Sequence, residues 1–478
     1  MGRMTEQEPA PSRAAAAPDG AVDTSLRSPE QRSRTFAGIL ANTALANITT
    51  SYLWFALTFW VYLETRNVIA TGVIGGAYML LIALSSISFG TFVDRYRKLE
   101  VMRFAAGFTL MMFVLSGVMF LLTPATWMLD LTQPWFWLFA LVILVGAVVE
   151  NMRNIALSTT VTILIEPDRR ANANGLVGMV QGLMFIVTSV LSGLSVGLLG
   201  MGWTIVVALA LTALAFAHLI TLRMPEEVRA AATDAHGGFD LRGALAAVLA
   251  ISGLFALILF STFNNFIGGV YMALMDPYGL EMFPVELWGT YFALGATGFI
   301  VGGALIGKFG LGSNPLRSML IAVILMGVLG AVFTLREWAW LYIAGIWLYL
   351  VLVPFVEAAE QTVIQQVVPL HRQGRVFGFA MAFESAAAPI TAFLIAPIAQ
   401  VWIIPYARSS EGAAQLAPLL GEGTSRGIAL VFLVAGIIMI AAALLAFLTP
   451  VYRRISVSYA RTAAEASATA DTTFSSSG

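Results

Sequence analysis

The sequence has no cysteine and little charge. The absence of cysteine excludes disulfides, thiolate metal sites and a cysteine nucleophile. The three histidines, His218, His236 and His371, are too far apart in the sequence to suggest a metal cluster. Charged residues make up 11% of the 478 positions, whereas roughly a quarter would be charged in a soluble domain. Hydrophobic residues reach 59%, which indicates a chain that folds in a lipid bilayer.

Long hydrophobic runs divide the chain. A helix needs about 20 mainly apolar residues to cross a bilayer, and about twelve such runs follow a polar, Ala-rich N-terminal segment. We predict an all-α, polytopic membrane protein with twelve transmembrane helices in two pseudo-symmetric six-helix halves. The predicted spans lie near residues 36–63, 68–93, 101–123, 134–163, 172–199, 202–222, 243–273, 286–308, 316–335, 338–365, 375–402 and 427–449.

Polar segments set the predicted domain boundaries. Residues 36–222 and 243–449 are the expected halves, residues 223–242 the linker, and residues 1–35 and 450–478 the tails. Disorder is expected up to about residue 34 and from about residue 456, where Ala, Ser, Thr and charge predominate. Lys and Arg concentrate in the connections on one side, and positive residues near span ends tend to stay in the cytoplasm. We therefore expect a multi-pass protein of the cell inner (plasma) membrane, with both termini cytoplasmic.

An internal sequence repeat supports the organisation into two halves. The segments that start at Thr160 and Thr362 share a Thr-Val pair, a Pro and an Arg at one constant offset. They follow the fourth and the tenth predicted span. Many transporters consist of such repeats, with the substrate site between them near the membrane midplane.

A charged segment between the second and third spans carries the most specific motif. Its residues are Gly90, Asp94, Arg95, Arg97 and Lys98. This pattern resembles the loop signature of the major facilitator superfamily of transporters. The resemblance implies that Asp94 holds the two halves together on the cytoplasmic side, with its counterpart near Gly374 and Arg375. The alternative is a solvated loop whose charges only fix the topology.

Two further loops narrow the resemblance. Residues 166–175 and 368–378 are similar to loops of the drug exporter branch that includes macrolide efflux proteins and the enterobactin exporter. The fifth span lacks the Gly-Pro-x-x-Gly-Gly motif of many drug antiporters. Of the Arg-x-x-Gln-Gly motif in the fourth span, only Arg153 is present. Gly307-Lys308 stands where the second half would repeat the Asp-Arg pair, so the charged gate is expected only once.

Charged residues inside the predicted spans are candidates for ion coupling, because an isolated charge in the bilayer is unfavourable and usually functional. Desolvation disfavours the charged form of a carboxylate, so such a group could bind and release protons near neutral pH. Glu357 and Glu384 are the favoured proton or cation sites. The alternative for Glu150, Glu357 and Glu360 is an ordinary interhelical salt bridge. The full candidate set is Glu150, Arg153, Glu357, Glu360 and Glu384.

The first and seventh spans carry amides among aromatic residues. In the superfamily, these two helices face each other across the central cavity. Asn47, Asn264 and Asn265 are therefore the candidate substrate contacts. Aromatic walls with a few amides suit a bulky amphiphilic ligand, although aromatic residues at span ends are more often interfacial anchors.

These features predict a secondary active transporter that works by alternating access. The predicted activity is proton-coupled efflux of amphiphilic drugs or antibiotics, and the direction follows from the resemblance. A siderophore or lysophospholipid transporter and a transporter-like sensor without flux are the alternatives. No nucleophile-base set or metal constellation indicates an enzyme, and no cofactor is expected. The expected partners are a small amphiphilic substrate, protons and membrane lipids, with no nucleic acid, and the chain is expected to be a monomer.

Overall fold

The computed structural model describes residues 29–65, 68–224, 241–421 and 425–475. The described residues form helices joined by short connections, without a β-strand, so the prediction of an all-α fold is confirmed. The main helices are α1 (Pro29–Thr65), α2 (Val68–Arg95), α3 (Lys98–Leu122), α4 (Pro134–Leu164), α5 (Arg170–Thr221), α6 (Leu241–Leu249), α7 (Leu254–Met282), α8 (Val285–Phe309), α9 (Pro315–Val332), α10 (Ala339–Val367), α11 (Leu370–Ile398), α12 (Arg426–Leu448) and α13 (Pro450–Ser475).

Twelve crossings arise from eleven helices. All main helices except α6 and α13 are long and apolar enough to span a membrane. Helix α5 has 52 residues, about 78 Å at 1.5 Å per residue, whereas a bilayer core is about 30 Å thick. It breaks at Gly200, whose φ of 78° and ψ of 170° are accessible to glycine at little cost. The chain reverses there, so α5 supplies the fifth and sixth spans.

The spans alternate in direction, so α1 begins and α12 ends on the same side of the bundle. We call this side the terminal face. The turns between α2 and α3, between α4 and α5 and between α10 and α11 also lie there. The loop that contains a short helix, Ser410–Leu420, lies on the opposite face.

The two halves meet mainly along two helix pairs, α2 with α11 and α5 with α8. Glycines allow the backbones to approach closely. A Cβ atom added at Gly90 would overlap the carbonyl oxygen of Gly374, and one added at Gly303 would overlap the backbone nitrogen of Met179. These contacts lie near the terminal face. The two halves therefore pack closely against each other near the terminal face.

Several boundaries differ from the predicted ones. Helix α1 begins at Pro29, so residues 29–34, which were expected to be disordered, are helical. The seventh span, predicted at 243–273, is divided into α6 and α7 because Gly253 adopts a left-handed conformation with φ of 89°. The C-terminal segment that was expected to be disordered is helical to Ser475. Its Ile455 is buried, and a Cβ atom at Gly253 would lie 2.5 Å from the Ile455 side chain. Residues 1–28 of the N-terminal tail and residues 225–240 of the linker lie outside the described residues.

Candidate functional site

The carboxylate of Asp94 bridges the two halves at the terminal face. Asp94 lies at the end of α2, and its side chain is 5% exposed. The backbone N–H of Gly374 donates to Oδ1 at 2.6 Å, and that of Arg375 donates to Oδ2 at 2.9 Å. The Arg375 side chain approaches the same carboxylate, with Nε 3.9 Å from Oδ2. Asp94, Gly374 and Arg375 are called the carboxylate latch below.

Gly90 makes this contact possible. Its backbone touches that of Gly374, where an added Cβ would lie 2.5 Å from the Gly90 carbonyl oxygen and 2.6 Å from Asp94 Oδ1. The other charged motif residues follow Asp94 in the chain. Lys98 is buried with Nζ 3.4 Å from the Tyr96 carbonyl oxygen, and Arg97 is 3.9 Å from Glu100. Arg95 is half-buried at the last position of α2.

A second contact between the halves, which sequence reasoning missed, consists mainly of amides. Nδ2 of Asn174 on α5 donates to Thr362 Oγ1 at 2.8 Å and to Gln365 Oε1 at 2.9 Å on α10. Nε2 of Gln365 donates in turn to the Ser158 carbonyl at 2.8 Å. Arg170 donates to the Gln365 carbonyl at 2.9 Å and to Gln366 Oε1 at 3.0 Å. We call Ser158, Arg170, Asn174, Thr362, Gln365 and Gln366 the amide latch.

Asn172 adds a third polar contact where α5 meets α8. Its Nδ2 donates to the carbonyl of Gly307 at 3.1 Å and to that of Ile306 at 3.3 Å. Gly307-Lys308 is the pair that replaces the Asp-Arg motif in the second half. The Asn172 amide of the first half therefore binds the end of α8, where the sequence had shown only that the aspartate of the motif is missing.

Three carboxylates line one cavity between the halves. This carboxylate cavity has a volume of about 190 Å³, and its walls come from α4, α5, α7, α10 and α11. It brings together Glu357, Glu360 and Glu384, and none of its lining residues is Lys, Arg or His. The ion pairs of the described residues include none of these three glutamates. The salt-bridge alternative for Glu357 and Glu360 therefore has no support in the geometry.

Glu360 and Glu384 are close neighbours. Glu360 is 7% exposed, and its carboxyl group lies within hydrogen-bonding range of Glu384. Oε1 of each is buried without a donor among the described residues. Two carboxyl groups can hydrogen-bond each other only when one is protonated. Glu357 lies one helical turn before Glu360 and is exposed to the cavity.

Unlike the three glutamates of the carboxylate cavity, Glu150 forms an ion pair, and its partner is Arg153. Arg153 is fully buried and donates through Nε to Glu150 Oε1, while its Nη1 donates to Asn42 Oδ1 at 2.5 Å. Thr109 Oγ1 donates to the other carboxylate oxygen of Glu150 at 3.1 Å. These bonds connect α1, α3 and α4 within the first half. The contacts favour the structural interpretation of this pair.

The candidate amides lie on two sides of the interface. Asn47 donates to Asn154 Oδ1 at 2.9 Å and lines a cavity of about 230 Å³ in the first half. Asn264 and Asn265 lie between the carboxylate cavity and an apolar cavity of about 330 Å³. Gln181, which the sequence did not single out, lines all three cavities. Residues of the apolar cavity include Tyr271, Met272, Met275, Phe292, Phe299, Met326 and Tyr349.

Known proteins with similar sequences are transporters. The profile of the Major Facilitator Superfamily matches residues 39–392. Macrolide efflux protein A of Streptococcus pyogenes is 22% identical over 372 residues, which cover 76% of this chain and 88% of that protein. Macrolide efflux protein A of Enterococcus faecalis is 22% identical over 312 residues, which cover 63% of this chain and 92% of that protein.

Solved structures share the fold. A bacterial homologue of the iron transporter ferroportin, in an outward-facing state with soaked iron, has a TM-score of 0.60 at 14% identity and covers 87% of this chain and 99% of its own. The human organic anion transporter MFSD10 has a TM-score of 0.62 at 14% identity and covers 86% of this chain and 100% of its own. Such identities show the architecture alone. With its two six-helix halves and a family profile that matches most of its length, this chain belongs to the major facilitator superfamily of membrane transporters.

Proposed function

We propose that this transporter works by alternating access and exports amphiphilic drugs or antibiotics from the cytoplasm in exchange for protons. The observation that carries the proposal is the Asp94 contact. A side chain of one half binds backbone groups of the other at the terminal face, while cavities lie between the halves. Taken with the positive residues near the span ends, the terminal face is the cytoplasmic one, closed by the two latches.

The carboxylate cavity is the proposed site of proton coupling. Two neighbouring carboxyl groups are most stable with one proton between them, because two negative charges in one dry site repel strongly. Glu360 and Glu384 have this relationship, and Glu357 adds a third carboxylate. Ser158 and Gln181 of the first half also line the cavity, so separation of the halves would change its hydration. Proton affinity would then differ between the two orientations, as an antiporter requires.

Drug export is supported by the relatives named for macrolide efflux and by the apolar cavity. Pockets for small molecules are mainly apolar with a few polar groups that fix orientation. Here several aromatic and methionine side chains adjoin two amides. Methionine adapts to ligands of different shape, which suits a pump with several substrates.

A pump-deficient bacterium that expresses the chain tests the proposal. We expect raised resistance to amphiphilic antibiotics and, in everted vesicles, substrate uptake driven by a pH gradient. Glu360→Gln and Glu384→Gln should abolish the pH-driven flux, whereas Glu100→Gln, the same change at the exposed terminal face, should leave it intact. Unaltered resistance to every compound would reject drug export. Unaltered pH-driven flux in Glu357→Gln, Glu360→Gln and Glu384→Gln would reject the coupling site.

A further inference from the structure

The helix α13 lies at the terminal face, where it follows the last span. It lies beyond the residues that the family profile matches, so the family does not account for it. Its sequence is rich in Ala, Ser and Thr, and the helix is too polar to span a membrane. It is nevertheless docked on the bundle, because its Ile455 is only 4% exposed.

Three sets of contacts fix α13 to the second half. Ile455 packs against Gly253 at the junction of α6 and α7. Asn314, in the turn between α8 and α9, donates through Nδ2 to Ser456 Oγ at 3.3 Å and to the Tyr452 hydroxyl at 3.5 Å. The helix also contacts α10. Because α13 is held by three separate elements of the second half, it should move with that half.

A further contact of α13 crosses to the first half. The helix touches the turn Pro167–Arg169, which joins α4 to α5. Its half-buried Tyr459 lies near the guanidinium of Arg170, the first residue of α5, and the two side chains interact electrostatically. Arg170 also donates to Gln365 and Gln366 of α10. Two elements of the second half, α10 and α13, therefore hold this side chain of the first half. We call the contact of Tyr459 with Arg170 and the turn the strap contact.

We infer that α13 is a strap that holds the terminal face closed and thereby regulates how often the transporter opens to the cytoplasm. When the halves separate at this face, Arg170 moves away from α10, and α13 moves with the second half. The strap contact is then lost. A contact that exists only in the closed state stabilises that state relative to the open one. This inference rests on the proposed alternating access, and it adds a regulatory element outside the spans: release of Tyr459 from Arg170 makes the face open more often.

Hydrogen exchange at a distant site tests the strap. The backbone N–H groups of Gly374 and Arg375 bind Asp94 in the closed arrangement, so their exchange with deuterium reports the opening of the terminal face. In the purified full chain in lipid nanodiscs, Tyr459→Ala should accelerate this exchange about fivefold, which corresponds to the loss of a contact worth about 1 kcal/mol. Mass spectrometry of the peptide that contains both residues measures it. Tyr406→Ala, the same change on the opposite face, should leave the exchange of this peptide unchanged.

A covalent tether tests the opposite effect. The chain has no cysteine, so Arg169→Cys and Tyr459→Cys can be joined selectively by a flexible bismaleimide. This tether connects α13 to the first half and should slow the exchange of the same peptide, relative to the untethered variant. The same linker between Asn314→Cys and Ser456→Cys stays within the second half and should not slow it.

Asn174→Ala serves as the reference, because it removes bonds of the amide latch without changing α13. If Asn174→Ala accelerates the exchange but Tyr459→Ala accelerates it only within α13 and around Arg170, Tyr459 has a local role and the strap is overturned alone. A first tether without effect has the same consequence. If neither Asn174→Ala nor Tyr459→Ala alters the exchange, the proposed closed gate fails together with the strap.

Discussion

Substituting Asn for Asp94 should open the terminal face. In the closed arrangement, one oxygen of Asp94 accepts the Gly374 N–H at 2.6 Å and the other accepts the Arg375 N–H at 2.9 Å. An asparagine can accept only one of these bonds, and its NH₂ group would face the second donor. The change keeps the size of the side chain, so it tests the bonds rather than the packing.

The magnitude follows from the lost bond. A hydrogen bond to a charged group is worth about 2 kcal/mol, and a buried N–H left without a partner is unfavourable as well. The closed state should therefore lose about 2 kcal/mol relative to the open one. Since each 1.4 kcal/mol is a factor of about ten, the ratio of open to closed molecules should rise about thirtyfold.

The absence of cysteine makes the assay direct. Met381→Cys places one thiol in the wall of the carboxylate cavity. A membrane-impermeant maleimide added on the cytoplasmic side of everted vesicles should then label it about thirtyfold faster in the Asp94→Asn background, as long as the open state stays a minority. Asp130→Asn is the matched control, because this half-buried aspartate lies in the loop before α4, on the opposite face. Labelling that is unchanged by Asp94→Asn, or equally accelerated by Asp130→Asn, would refute the latch.

Three further substitutions test individual backbone and polar contacts. Gly90→Ala should accelerate cytoplasmic labelling more than Asp94→Asn does, because its methyl group cannot fit against Gly374 in the closed state; slower labelling would contradict this. Asn174→Ala should shift the same equilibrium by about 3 kcal/mol, since it removes three neutral bonds of about 1 kcal/mol each. Its effect should add to that of Asp94→Asn in a double-mutant cycle. Arg426→Ala should destabilise the protein by about 3 kcal/mol, because Arg426 is 3% exposed and donates to Tyr278 and Glu337 at 2.9 and 2.8 Å. The measurement is the melting temperature in detergent, which should fall. Arg408 is exposed, so Arg408→Ala should have little effect.

The number of crossings followed from the sequence because bilayer thickness sets the length of each apolar run. The predicted fifth and sixth spans, 172–199 and 202–222, already place their junction at Gly200, and the structure adds the backbone conformation that breaks the helix there. Hydropathy could not show that α6 separates from α7 at Gly253, because this feature depends on a single backbone conformation. The helix α13 was missed for another reason. Its sequence is polar on average, and its contact with Gly253 through Ile455 is long-range.

The candidate site was predicted unevenly. Asp94 could be singled out because a charged motif stands out between apolar runs, and its partners came from the family resemblance rather than from spacing. The amide latch was missed since Asn174 and Gln365 carry no charge and hydropathy does not distinguish them from other polar residues. Glu360 was ranked below Glu357 and Glu384, yet it is the one in contact with Glu384. That contact joins two helices, and no periodicity along one helix could reveal it.

The contacts of Asp94 with α11 and of Asn172 with α8 follow the same electrostatic rule, which the comparison of motifs does not show. Asp94 and Asn172 both belong to the first half, and each binds backbone groups at a helix end of the second half. The beginning of α11 presents N–H groups and a partial positive charge, which a carboxylate complements, whereas the end of α8 presents carbonyls and a partial negative charge, which an amide NH₂ complements. An aspartate in place of Asn172 would face those carbonyls and repel them. The second half lacks the Asp-Arg pair, and the first half supplies the side chain at each of these two helix ends. Each side chain has the polarity that complements its helix end, and only the one at α11 is charged.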